Sequence, residues 1–151
     1  MLDVLFPRTA SNDYRGHPIA LWVFVAITLV TWARSLIHIL RFDGGAESIA
    51  TIPLAQYSPE AAAAVVTTFA LWGLSQLLIG AVYATVLWRY RNLLPLMYLL
   101  LVIEYIGRFA IGAWKPVETL AVPPGSTANL VFPILGAVML FFATRVRRDP
   151  T

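Results

Sequence analysis

The sequence predicts an all-α, integral-membrane four-helix bundle, and three observations predict it. The chain of 151 residues is 59% hydrophobic and 13% charged, where soluble domains carry about 25% charged residues. Its mean hydropathy is +0.73. Four apolar runs are each long enough for the roughly 20 residues that cross a bilayer, and short polar or Pro/Gly-containing connections separate them. A soluble bundle would interleave polar residues at a helical period, whereas the stretch from Leu93 to Ile103 is apolar all round.

These runs define a single membrane domain over residues 1–151, with spans at about 18–40, 61–88, 93–114 and 127–144 and an outer loop at 41–60. The first span opens on Pro18, where a first-turn proline is tolerated. It is longer than a signal-peptide core of about 7–15 residues, carries Arg34 and lacks a small-residue cleavage site, so it is expected to remain in the mature chain. Asp43-Gly44-Gly45 ends it. Ile49, Ile52 and Leu54 in the loop are expected to lie on the outer membrane surface. Ser58-Pro59-Glu60 then gives a cap, a first-turn proline and an acid, the order in which a helix starts. Pro123-Pro124-Gly125-Ser126 precedes the fourth span. Pro133, inside that span, is expected to kink it and free a backbone carbonyl.

Orientation follows from the basic residues beside the spans. Arg8, Arg15, Arg89, Arg91, Arg145, Arg147 and Arg148 fall on one side, Arg41 and Lys115 on the other, and Arg34 and Arg108 lie within spans. The positive-inside rule therefore gives up-down-up-down topology with N and C termini cytoplasmic, in what is expected to be a bacterial inner (cell) membrane. Trp22, Trp88 and Tyr90 at one edge, with Tyr57 and Trp114 at the other, fit aromatic belts.

The inventory excludes several chemistries. There is no cysteine, which removes thiol catalysis, thiolate metal sites and disulfides. The net charge of +3 comes from span ends rather than a basic stripe, so no nucleic-acid partner is expected. The two histidines, His17 and His38, lie 21 residues apart, which along one helix is about 31 Å, too far to grip one haem. No metal site is expected and no cofactor is indicated.

The informative residues are the polar ones within the spans. Arg34 and His38 are four apart on the first, and Glu104 and Arg108 are four apart on the third, so each pair shares a helix face. At 1.5 Å per residue, Arg34 and Arg108 lie roughly 9 Å below the outer ends of their spans, and Glu104 and Gln76 roughly 15–16 Å below. A charge facing lipid at such depths costs about 2.5–3.5 kcal/mol or more, which argues for mutual pairing. Glu104 is expected to pair with Arg34 or Arg108, leaving a site of net positive charge. The plainer reading is an ion pair that only locks helices together, with His38 a satisfied side chain. Gly73, Gln76, Gly80 and Tyr83 form one stripe on the second span, suited to close helix packing with Gln76 bonding across the interface. Asn129, Pro133 and Gly136 form a similar stripe on the fourth, with Asn129 near the outer mouth.

Gly73-Leu74-Ser75-Gln76-Leu77-Leu78-Ile79-Gly80 resembles the G-x-x-E-L-x-x-G-type second helix of DoxX-like small four-helix membrane proteins, with Gln76 in place of the acid. The resemblance implies the four-span architecture and a kinship with accessory subunits of quinone-linked oxidoreductases, but no catalytic residue. Three function classes meet these residues. One is a binding or accessory protein whose outward-facing pocket, built from Arg34, His38, Gln76, Glu104, Arg108 and Asn129, holds a small amphiphile, lipid headgroup, quinone or anion. Another is a small intramembrane enzyme with His38 or Glu104 as acid/base. The third is an oligomeric transporter or proton-conducting unit, although Tyr98 alone supplies polarity along 93–103 of the inner half. The expected partners are the bilayer, that amphiphile, and further copies or a larger membrane complex.

Overall fold

The computed structural model describes residues 2–145, whose regular structure is entirely helical. A one-turn helix α1 (Leu2–Leu5) precedes four long ones: α2 (Pro18–Leu40), α3 (Pro59–Arg89), α4 (Leu94–Trp114) and α5 (Pro124–Thr144). Each long helix carries a proline in its first turn, where the missing N–H has no intrahelical partner to lose. His17 caps α2 by accepting the Ile19 N–H on Nδ1, and Ser58 caps α3 by accepting the Ala61 N–H. α5 continues through Pro133 from Pro124 to Thr144. All four are long and apolar enough to cross a membrane. Helices satisfy their backbone groups internally, as lipid demands, and large apolar side chains such as Leu71, Leu78 and Ile134 stay exposed. This is an integral membrane protein built as a helical bundle. Arg147 and Arg148, which enter the orientation count, lie outside the described residues.

The bundle is two tight pairs, α2 with α3 and α4 with α5, joined mainly where α2 meets α5; α3 and α4, although consecutive, hardly touch. The α2/α3 contact follows from the glycine stripe. Gly73, Gln76, Gly80 and Tyr83 are all buried. A Cβ on Gly73 would stand 2.7 Å from the His38 Cβ, and one on Gly80 would stand 2.5 Å from the Trp32 ring. Only glycine permits this approach of helix backbones. Gly136 does the same for α5, against Leu101 and Val102 of α4. Phe24 then joins the two pairs, with its ring 4.8 Å from Tyr83 and 5.1 Å from Tyr98. The Tyr98 hydroxyl, buried in this core, donates to the Ala20 carbonyl at 2.6 Å.

The 31 residues of α3 extend about 45 Å, well beyond a hydrocarbon core of about 30 Å. Its first turns are covered by the preceding connection, in which Ala46, Ile52 and Leu54 are buried against Val65, Val66 and Phe69. This corrects the expectation that Ile52 and Leu54 lie on the membrane surface; Ile49 is half-buried beside them. The cause is the turn at Asp43, whose carboxylate accepts the N–H groups of Gly45 (2.9 Å) and Ser48 (2.7 Å). Gly44 and Gly45 adopt φ of +59° and +76°, which folds the chain back onto α3. Burial by itself pushes the Asp43 carboxyl up, but its hydrogen bonds with Ser48 and Gly45 outweigh that and hold it at about 2.

Further on, Thr51 has φ +56°, rare for a β-branched residue. It ties the two longer connections together: its hydroxyl donates to the Ala121 carbonyl at 2.8 Å, and its carbonyl accepts the Leu120 N–H at 2.8 Å. A different set of bonds gathers the segment before α2. The Asn92 amide accepts the Ser11 N–H and donates to the Thr9 carbonyl, while the His17 N–H bonds to Phe142.

Candidate functional site

A cavity of about 120 Å³, walled by apolar side chains with several charged and polar ones among them, lies among α2, α3 and α4, where the two helix pairs part. Arg34 enters it from α2, Trp72, Ser75 and Gln76 from α3, and Glu104, Tyr105 and Arg108 from α4. The gap between α3 and α4 is its opening, because Ser75 and Ile79 are exposed on one lip and the Glu104 side chain keeps 40% of its accessibility on the other. Glu104 stands ten residues from each end of α4, so the opening lies about 15 Å from either, at mid-span.

Of the two partners expected for Glu104, the structure shows Arg108. Arg108 binds Glu104 one turn back on its own helix, through Nε at 2.9 Å and also through Nη2. Arg34 does not take the carboxylate; its Nη1 donates to the Tyr105 hydroxyl at 3.0 Å. The i,i+4 spacing explains the choice, since Arg108 reaches Glu104 without crossing the seam. Tyr105 is held in place by Phe132 of α5, stacked at 4.7 Å with 10° between the rings. Trp72 sits between the two cations, its ring centre 4.8 Å from the Arg108 guanidinium carbon and 5.8 Å from that of Arg34.

Gln76 departs from expectation. It is buried to 7% exposure, yet its amide Nε2 finds no hydrogen-bond partner among the described residues, rather than bonding across the interface. Gly73 and Gly80 bring α3 so close to α2 that the amide between them is enclosed, while the aligned α2 residues offer it no acceptor. Gln76 is among the residues that line the cavity.

His38 and Asn129 stand apart. The His38 Nδ1 is 2.7 Å from the Gly44 carbonyl, which can only accept, so Nδ1 carries the hydrogen. The ring stacks on Trp72 at 4.8 Å and meets Phe69 edge-on, and it does not line the cavity. Its turn away from Arg34 follows from the loop: the positive φ of Gly44 delivers a carbonyl within reach. Asn129 borders a second, wider hollow of about 440 Å³ with Lys115, Ser126 and Arg108. Arg108 therefore edges both spaces. Among the described residues, no group of three or more His, Asp or Glu side chains could hold a metal ion.

Two members of the site, Trp72 and Tyr105, were not among the sequence candidates. The signal was available: Trp72 precedes Gln76 by four, and Tyr105 precedes Arg108 by three, which puts each on a candidate's face. No family model, curated protein or solved structure matches the chain.

The donors and acceptors of the cavity do not balance. Arg34 carries five N–H groups and makes one hydrogen bond among the described residues, and Gln76 adds an unpartnered N–H₂. Arg108 engages one oxygen of the Glu104 carboxylate, Oε1, and leaves Oε2 as an acceptor. The hydroxyls of Thr31 and Ser75 donate to carbonyls on their own helices. What remains is a surplus of donors beside a sideways opening. Such a site is built to accept hydrogen-bond acceptors.

Proposed function

We propose that this protein binds a small amphiphile of the bilayer in the cavity between α2, α3 and α4, as a polytopic protein of a bacterial inner membrane. The observation that carries the proposal is the Gln76 amide, enclosed and unpartnered at the wall of the cavity. A buried N–H₂ without a partner costs about 1–3 kcal/mol, and a bound acceptor would recover it. The open seam between α3 and α4 supports delivery from the lipid phase, since a headgroup can slide in while its tail stays among the exposed Leu71, Leu74 and Leu78. The basic residues at the span ends support up-down-up-down topology with cytoplasmic termini. The likeness of α3 to the second helix of DoxX-like proteins supports a place as accessory subunit in a larger membrane complex.

Native mass spectrometry tests this. Protein released from membranes in a mild uncharged detergent should carry one non-covalent amphiphile per chain, and a folded Gln76→Leu, Arg34→Gln double variant should not. A ligand-free wild type, or equal retention by the double variant, rules the proposal out.

A further inference from the structure

The cavity also specifies the charge of its occupant. Two guanidiniums, Arg34 and Arg108, face one carboxylate, Glu104, and the pairing of Glu104 with Arg108 leaves Arg34 with a hydroxyl as its hydrogen-bonded partner. The site is thus one positive charge in excess at mid-span, where an uncompensated charge is most costly. His38 does not alter the count from inside, because it is turned onto Gly44. The aromatic surfaces point the same way. Trp72 is already covered by His38 and by Arg108, and Tyr105 by Phe132 and Arg108, so a flat ring such as a quinone would have to displace them to stack.

Building on the amphiphile reading above, we infer that the occupant is a monoanionic oxyacid on an alkyl tail, a carboxylate or phosphodiester headgroup that enters sideways between α3 and α4. Arg34 supplies a charge-assisted fork for two of its oxygens, and the Gln76 N–H₂ completes their coordination. Glu104, at the lip of the opening, sets selectivity by neutralising one arginine: without it the site would suit a dianion.

Titration in dodecyl maltoside micelles, whose heads carry no charge, tests this, with ligand-free micelles subtracted. The probes are dodecanoate, dodecyl methyl phosphate (a singly charged diester), dodecanol and methyl dodecanoate, with acetate and dimethyl phosphate for the head alone. The alkyl anions should bind at least about tenfold tighter than dodecanol and the ester, and at least about tenfold tighter than acetate or dimethyl phosphate. Glu104→Gln should tighten the alkyl anions by about tenfold and Arg34→Gln should weaken them by about as much, leaving dodecanol within about threefold of wild type in each. Glu104→Gln keeps the test intact should Arg34→Gln fail to fold. Dodecanol or ester matching the alkyl anions overturns the inferred charge while the amphiphile pocket stands. Acetate or dimethyl phosphate matching them overturns the alkyl tail and the sideways route. Failure of every alkyl compound to bind removes both the inference and the reading beneath it.

Discussion

Replacing Gln76 by leucine separates stability from binding. The wild-type amide is buried to 7% exposure with Nε2 unpartnered, so in ligand-free protein it costs about 1–3 kcal/mol of desolvation with no bond in return. Leucine is larger by only about one methylene and removes that cost. Gln76→Leu should therefore unfold about 1–3 kcal/mol later than wild type when delipidated protein is titrated with SDS in mixed micelles and followed by circular dichroism. Adding dodecanoate at about 100 times its dissociation constant should stabilise wild type by about 2.7 kcal/mol through mass action, and the variant by far less. The two proteins should thus exchange or lose their order of stability as ligand is added. If ligand-free Gln76→Leu is less stable than wild type by about 1 kcal/mol or more, the amide has a partner in the resting protein and the reasoning fails.

Three further outcomes are expected. Gly73→Ala puts a methyl 2.7 Å from the His38 Cβ and 3.0 Å from the Ser35 carbonyl; α2 and α3 must separate by about 1 Å to reach normal contact, at about 1–3 kcal/mol in the same SDS titration. Tyr98→Phe leaves the ring but removes the 2.6 Å bond to Ala20, and should cost about 1 kcal/mol by that measure. Asp43 is held at about 2 in the folded protein, below its unfolded value near 4, so its contribution is complete above about pH 4 and is lost as the pH falls toward 2. That loss should amount to about 1–2 kcal/mol, allowing for water near the loop, and Asp43→Asn should flatten acid unfolding curves in this window.

How much of this was legible in the sequence depends on the kind of contact. The long helices were, because four apolar runs with few charges each reach the roughly 20 residues that a bilayer crossing needs. Depth arithmetic also brought Arg34, Gln76, Glu104 and Arg108 to one neighbourhood, since the rise along a helix is fixed. Partner choice was legible only in part. The i,i+4 spacing puts Arg108 within reach of Glu104, but that Arg34 turns to the Tyr105 hydroxyl depends on distances across the seam, which residue spacing does not encode. The loop shows the same limit. Asp43-Gly44-Gly45 reads as a break, but that its carboxylate would fold Ile52 and Leu54 onto α3, and draw the His38 ring to Gly44, depends on bonds formed only once the chain has turned.

The hardly touching α3 and α4 bear on how the molecule would yield under load. Each pair keeps most of its close contacts within itself, and the two are held together by the α2/α5 contact, the Phe24 and Tyr98 rings, the reach of Arg34 to Tyr105 and the Thr51 clasp. Drawn out of the bilayer by its ends, the chain has a natural dividing line at residues 90–93, with two mechanical halves that can be extracted one after the other. The plane that separates those halves is the plane in which the cavity lies, so whatever settles there couples their resistance.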